Sequence, residues 1–145
     1  MRRAAAALVV AVSIAGCGSS TLSGKQLRSD ATGVCATTRT RLNRIDVPSS
    51  PSEGGPFLRR GTDALRQELT ALRKLSPPEQ LAATFQRGLD ALSSELARLE
   101  LAEARLRRGA DPVQTFHTLA GQIGALEGQA NAAFTSLQIP ACTER

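Results

Sequence analysis

The chain has 145 residues, a length that fits one domain, and it contains no Trp, no Tyr and only four Phe. Ala, Leu and Arg dominate the composition and β-branched aliphatic residues are few, which predicts helices and argues against a sheet. The formal net charge is +5, and the basic residues are interspersed with Asp and Glu. This is not the charge distribution of a nucleic-acid-binding protein.

The first sixteen residues have the pattern of an export signal. Arg2 and Arg3 form a short positive region, and an apolar run interrupted only by Ser13 fills positions 4–15. As a helix this run would span roughly 18 Å, against about 30 Å of bilayer hydrocarbon, so it is too short for a permanent membrane-spanning helix. We therefore predict that residues 1–16 are a cleaved signal peptide.

The segment that ends this signal, Ile14-Ala15-Gly16-Cys17, resembles the lipobox of bacterial lipoproteins, in which an aliphatic residue and two small residues precede an obligatory cysteine. The resemblance implies that the Cys17 thiol receives a diacylglyceryl group, that the signal is cut just before it, and that the new amino terminus is acylated as well, with fatty acids such as palmitate. Two other interpretations stay open at this point: an ordinary cleaved signal, or an uncleaved anchor in which Cys17 has no role.

Lipidation at Cys17 would decide where the protein works. Each buried methylene contributes about 0.8 kcal/mol, so two or more acyl chains hold a protein stably on a membrane. Residues 17–24 are rich in Gly, Ser and Thr and are expected to form a flexible tether. We expect a lipid-anchored protein on the extracytoplasmic side of the cell membrane.

The two remaining cysteines, Cys35 and Cys142, are expected to form a disulfide. An exported protein folds in an oxidising compartment, where a leftover pair of cysteines usually bonds. The alternative is two free thiols.

Hydrophobic periodicity predicts four amphipathic helices in residues 25–145. The first covers about 25–46, with Ser23, Ser29 and Asp30 as possible caps. Its apolar face comprises Leu27, Ala31, Val34, Thr38, Leu42 and Ile45. A loop rich in Pro, Gly and Ser follows, and the second helix covers about 56–75.

The third and fourth helices have clear start signals. Ser76 is a candidate cap for a helix over 77–108, with Glu79 completing a capping box. Asp111 is the candidate cap for a helix over 112–138. Four amphipathic helices with two short connections predict an all-α, up-down-up-down four-helix bundle, with Phe85 and Phe134 at the same level. The whole pattern resembles a set of small actinobacterial helical-bundle lipoproteins, a resemblance that implies a fold and a location but no mechanism.

No motif for catalysis, phosphate binding or a cofactor occurs in the sequence, so we expect neither an enzyme nor a cofactor. His117 is the only histidine, which excludes a metal site with several histidines. It is most simply a solvated helix residue. The alternative is a functional pair with Glu103, which lies within the apolar stripe of the third helix, although Arg107 one turn along competes for that carboxylate.

The outer face of the fourth helix is the other unusual feature, because small and neutral residues occupy it: Gln114, Thr118, Gly121, Ala125, Gly128, Ala132 and Thr135. Such a face permits the close approach of another helix, although it is also compatible with an ordinary solvated surface. We expect a non-enzymatic interaction or structural role in the cell envelope, with a protein partner or self-association. The alternative is a carrier or sensor of an apolar, lipid-like ligand held between the helices.

Overall fold

A computed structural model describes residues 21–144 of the chain. Over this range four α-helices form an all-α bundle without strands, which confirms the predicted fold class. The helices are α1 (Gly24–Leu42), α2 (Gly54–Leu72), α3 (Glu79–Arg107) and α4 (Pro112–Ser136), and two short 3₁₀ segments cover Pro51–Glu53 and Pro140–Cys142. Each helix packs against the next in the chain, and α3 makes its most extensive contact with α4. The predicted signal peptide and Cys17 lie outside the described residues.

Two of the expected helix caps are present. Ser23 accepts a hydrogen bond from the Gln26 backbone N–H, and the Gln26 side chain accepts one from the Ser23 N–H, so the pair forms a capping box that starts α1. Asp111 accepts a hydrogen bond from the Gln114 N–H at 2.8 Å and starts α4. These bonds satisfy backbone donors that the first turn of a helix leaves without intrahelical partners.

The expected cap at Ser76 is wrong. Helix α3 begins at Glu79 with Pro78 in the cap position, in an extended conformation and without a side-chain hydrogen bond. A proline disfavours the helical conformation of the residue before it, so Pro78 holds Pro77 out of the helix and delays its start. Glu79 consequently lies in the first turn as an acidic residue rather than as part of a capping box.

The predicted bounds of the first two helices also need correction. Helix α1 ends at Leu42, four residues before the predicted end, and the chain continues in tight turns in which Arg44 and Ile45 bond three residues back. Helix α2 starts at Gly54, so Pro56 is its third residue, and it ends at Leu72. At about 1.5 Å per residue, the 19 residues of α1 span about 28 Å, whereas the 29 residues of α3 span about 43 Å.

The predicted tether over 17–24 is too long. The Leu22 N–H donates to the Ser76 carbonyl at 2.9 Å, and the Leu22 side chain packs against the core. Gly24 is already the first residue of α1. The chain is therefore fixed to the α2–α3 connection from Leu22 onward.

The larger part of the core lies where all four helices are present, a region that we call the four-helix half. Its centre is an edge-to-face pair of Phe85 and Phe134, with ring centroids 6.5 Å apart, as the helix levels predicted. Cys35 and Cys142 form a disulfide with a Cα–Cα distance of 5.0 Å, and both are completely buried. The buried residues around them are Leu27, Ala31, Leu65, Leu69, Leu72, Leu89, Ala91, Leu92, Leu96, Ala130, Leu137 and Ile139.

The remaining part of the bundle, beyond the end of α1, contains only α2, α3 and α4, and we call it the three-helix half. Its core is small: Leu58, Ala102 and Leu119 are buried, with Leu99, Leu106, Phe116 and Ile123 partly buried around them. The Pro51–Glu53 segment covers α2 and α4 at this end. The space beyond Leu42 is thus bounded by three helices and a loop rather than by a fourth helix.

Candidate functional site

The residues predicted for the outer face of α4 are all exposed. Gln114, Thr118, Gly121, Ala125, Gly128, Ala132 and Thr135 lie on solvent-facing positions of this helix. A Cβ added at Gly121 or Gly128 would meet no atom within 4 Å. The face is therefore smooth and open, and a second surface could approach its backbone closely.

Glu103 and His117 do not form the pair that was considered as an alternative. The Glu103 side chain is buried and accepts a hydrogen bond from the Arg107 guanidinium, one turn further along α3. His117 is exposed, and no ion pair joins it to Glu103 in the part of the chain that the structure describes. Arg107 provides the partner that a buried carboxylate requires.

A cavity of about 290 Å³ opens on the side of the bundle where α1 ends, and we call it the lateral cavity. All four helices and the carboxyl-terminal segment contribute to it. Its lining residues are Leu42, Phe57, Leu58, Gly61, Thr62, Leu65, Glu95, Leu99, Ile123, Glu127, Asn131 and Thr143. Ligand pockets generally measure about 300–1,000 Å³, so this cavity is slightly smaller than that range.

The lateral cavity exists because α1 does not pack along α4. The carboxyl-terminal 3₁₀ segment, rather than the middle of α4, contacts α1. The disulfide holds this segment against α1. Arg28 donates a hydrogen bond from Nε to the Leu137 carbonyl at 3.0 Å, so the start of α1 lies beside the end of α4. Further along, α1 ends at Leu42 and leaves one side of α4 without a helix against it.

The polar side of the lateral cavity carries two carboxylates. Ile123, Glu127 and Asn131 are four residues apart on α4 and therefore line the cavity together. Glu95 approaches from α3 and is only 7 % exposed, whereas Glu127 is exposed. The cavity surface is mostly apolar, and no Lys or Arg is among its lining residues.

This cavity was not predicted from the sequence. Its lining residues come from all four helices and from the carboxyl-terminal segment, so no single stretch of sequence displays it. A signal was present in Glu95, which interrupts the run Leu92, Leu96 and Leu99 at a core-facing position of α3. A carboxylate at such a position indicates either a polar partner or a site.

No helix within residues 21–144 is long and apolar enough to cross a membrane. We found no protein-family model, no curated protein and no solved structure that matches this chain.

Proposed function

We propose that this protein is a lipid-anchored component of the cell envelope that acts by binding on the extracytoplasmic side, without catalysis. The observation that carries the proposal is the lipobox at Ile14-Ala15-Gly16-Cys17, directly behind a short apolar signal. It is supported by a disulfide that suits an oxidising compartment.

The fold is compatible with an anchor at Cys17. Cys17 and Thr21 are four positions apart in the chain, a separation that an extended chain spans in at most about 14 Å. The hydrogen bond from Leu22 to Ser76 would then hold the α2–α3 connection close to the membrane surface. Lys25, Arg73 and Lys74 are exposed near this end, and basic groups at that position suit the anionic headgroups of a bilayer.

Metabolic labelling with palmitate tests the anchor. We expect label in the wild type and none in Cys17→Ser, which should accumulate as the uncleaved precursor. A double substitution of Cys35 and Cys142 is the matched control, because it changes the other cysteines and should keep the label. Equal labelling of Cys17→Ser and the wild type would refute the anchor.

For the interaction role, we propose the outer face of α4 as the contact surface for a helix of a partner or of a second copy. Gly121→Arg and Gly128→Arg place a charged side chain on this face, away from the core. We expect melting temperatures equal to or somewhat above that of the wild type, because the face is open and a glycine inside a helix costs up to about 1 kcal/mol relative to a better helix former. Gly33→Arg, on an equally open position of α1, is the control.

Crosslinking in the native membrane then measures association. Both α4 variants should lose their crosslinked products, since an unpaired charge at an interface costs several kcal/mol, while Gly33→Arg should keep them. Unchanged crosslinking in all three variants would exclude this face as the contact surface.

The lateral cavity favours a second candidate function, which is the carriage or sensing of an apolar ligand between the helices. Its walls are mostly apolar, and it opens to solvent beside α4. Protein purified from its own membranes should then release a small lipid-like compound on organic extraction. A variant with a filled cavity, Gly61→Leu, should release much less of it.

A further inference from the structure

The connection between α1 and α2 is the longest and most open of the three connections between the described helices. Val47 is 83 % exposed, and Arg44 and Asp46 are exposed as well. Ile45 donates the last backbone hydrogen bond to α1, and residues 46–48 take part in no backbone–backbone hydrogen bond within the described part of the chain. We call residues 43–48 the open segment. Proteolysis concentrates at exposed backbone of this kind.

The other two connections are held more closely. In the α2–α3 connection, the Ser76 carbonyl accepts a hydrogen bond from the Leu22 N–H, and Leu75 packs against the large core. In the α3–α4 turn, residues 108–110 all donate backbone hydrogen bonds to the last turn of α3. A protease would have to break these contacts before the chain could enter its cleft, so the open segment should be cut first.

Arg44 determines which kind of protease fits the open segment. It is the only basic residue of this segment. Its side chain is exposed and forms no hydrogen bond or ion pair with the other described residues. A protease with an acidic specificity pocket binds such a guanidinium by charge-assisted hydrogen bonds and cuts on the carboxyl side of the residue. The peptide bond between Arg44 and Ile45 is therefore the expected point of cleavage.

We propose that the open segment is a proteolytic processing site, cut after Arg44 by an endoprotease with trypsin-like specificity. Water adds across the Arg44–Ile45 peptide bond, which leaves a carboxylate on Arg44 and an amino group on Ile45. The cut lies between Cys35 and Cys142, so their disulfide keeps the two resulting chains together. One chain carries α1, and the other carries α2, α3 and α4.

The disulfide gives this cleavage a specific outcome in an anchored protein. This step rests on the proposed anchor at Cys17, which belongs to the chain that carries α1. Without the disulfide, the other chain would stay beside the anchor only by packing against α1. With the disulfide, processing separates α1 from the loop that covers the three-helix half and releases neither of them from the membrane.

Limited trypsin digestion of the full mature lipoprotein, reconstituted in phosphatidylcholine vesicles, tests the site. We expect the first cut after Arg44, so a gel should show one band without reductant and two bands with it. Arg44→Gln should slow the loss of the intact chain about tenfold. Arg108→Gln, which removes an exposed arginine of the α3–α4 turn, is the matched control and should leave the rate unchanged. A first cut at any other residue, unaffected by Arg44→Gln, would overturn the proposal.

Sedimentation of the vesicles separates the role of the disulfide from that of the anchor. Before digestion the intact protein should sediment with the vesicles, and its failure to do so would refute the anchor while the cleavage result stands. After digestion, the fragment 45–145 should sediment with the vesicles in urea, which removes the packing contacts. It should enter the supernatant only when a phosphine reduces the disulfide. Its release without the phosphine would overturn the retention.

The processed form should also exist in the native membrane. Protein isolated from its own membranes, with protease inhibitors present throughout, should separate into two chains on reduction. Mass spectrometry should then find Ile45 as a new amino terminus. A single chain under reducing conditions would overturn the processing site, even if trypsin cuts there.

Discussion

The two halves of this bundle are built from the same helices but are held together differently. The four-helix half has a large core around Phe85 and Phe134 and a completely buried disulfide. Within the described residues, the core of the three-helix half has three buried apolar residues, and a loop takes the place of the fourth helix. The lateral cavity lies at the boundary, where α1 ends. The cavity thus results from the end of one helix part-way along the bundle, and it does not require small residues in the core.

The largest expected effect comes from removal of the disulfide, which belongs to the four-helix half. For the 107-residue separation of Cys35 and Cys142, the loss of the crosslink should cost about 4–5 kcal/mol. We expect this loss for Cys35→Ala/Cys142→Ala in denaturant unfolding, with hydrogen exchange rising most in α1 and in the carboxyl-terminal segment. Reduced wild-type protein is the control and should match the variant. A uniform rise in exchange over both halves would contradict the difference between them.

Truncation of one leucine in each half should have unequal effects. Leu92 is completely buried in the large core, so Leu92→Ala should cost about 3–5 kcal/mol. Leu119 is 6 % exposed in the small core, where partly exposed neighbours can move into the space, so Leu119→Ala should cost about 2–3 kcal/mol. Denaturant unfolding curves measure both. Equal losses would indicate that the two cores are packed equally tightly.

Substitution of a glycine by alanine in each half tests the same difference in packing, because each substitution adds a Cβ. A Cβ at Gly88 would lie 3.0 Å from the ring of Phe134, which is completely buried and contacted by Phe85. Gly88→Ala should therefore destabilise the protein by about 1–2 kcal/mol, because overpacking exceeds the gain in helix propensity. A Cβ at Gly54 would lie 2.7 Å from Phe116, but this ring is half-buried and can turn away.

Gly54→Ala should consequently be close to neutral in thermal melts. Gly128→Ala, where the added Cβ meets nothing within 4 Å, is the control and should stabilise by up to about 1 kcal/mol. If Gly54→Ala lowered the stability more than Gly88→Ala, the surroundings of Phe116 would yield less to added bulk than those of Phe134, contrary to this prediction.

The smallest expected effect concerns the loop that covers the three-helix half. The Ser49 backbone N–H donates to the Glu53 carboxylate at 2.7 Å, and this bond, with the Ser49 hydroxyl, holds the pKa of Glu53 below its usual value of 4.5. These bonds therefore stabilise the loop at pH values above 4.5 and are lost as the pH falls through the lowered pKa. A carboxyl titration by NMR should show this shift, and Ser49→Ala should reduce it only in part. A normal pKa in the wild type would exclude the bond.

Local chemistry made much of this fold predictable from the sequence. Ser23 and Asp111 start helices through their own side chains, and the periodic apolar residues determine which faces pack. That Phe85 and Phe134 lie at the same level follows from counting residues outward from the short turn between α3 and α4. Such features depend on neighbours in the chain, which a sequence displays directly.

Features that depend on tertiary contacts could not be predicted in this way. No proline or glycine directly follows Leu42 to indicate that α1 ends there, and the helical spacing of apolar residues continues to Ile45. The lateral cavity depends on that end and on the position of the carboxyl-terminal segment between α1 and α4. Glu95 and Glu127 come together there from two helices, and no spacing in the sequence relates them.

The disulfide also determines how the molecule bears force. Cys35 and Cys142 close a covalent ring that contains α2, α3, α4 and every residue lining the lateral cavity except Thr143. A force applied between the two ends of the chain is transmitted through the sulfur–sulfur bond, so it does not stretch the chain within this ring. Of the described residues, only 21–34 and 143–144 can then be drawn out. Such a force would therefore lengthen the molecule by the first turns of α1, while the cavity-lining residues within the ring stay linked.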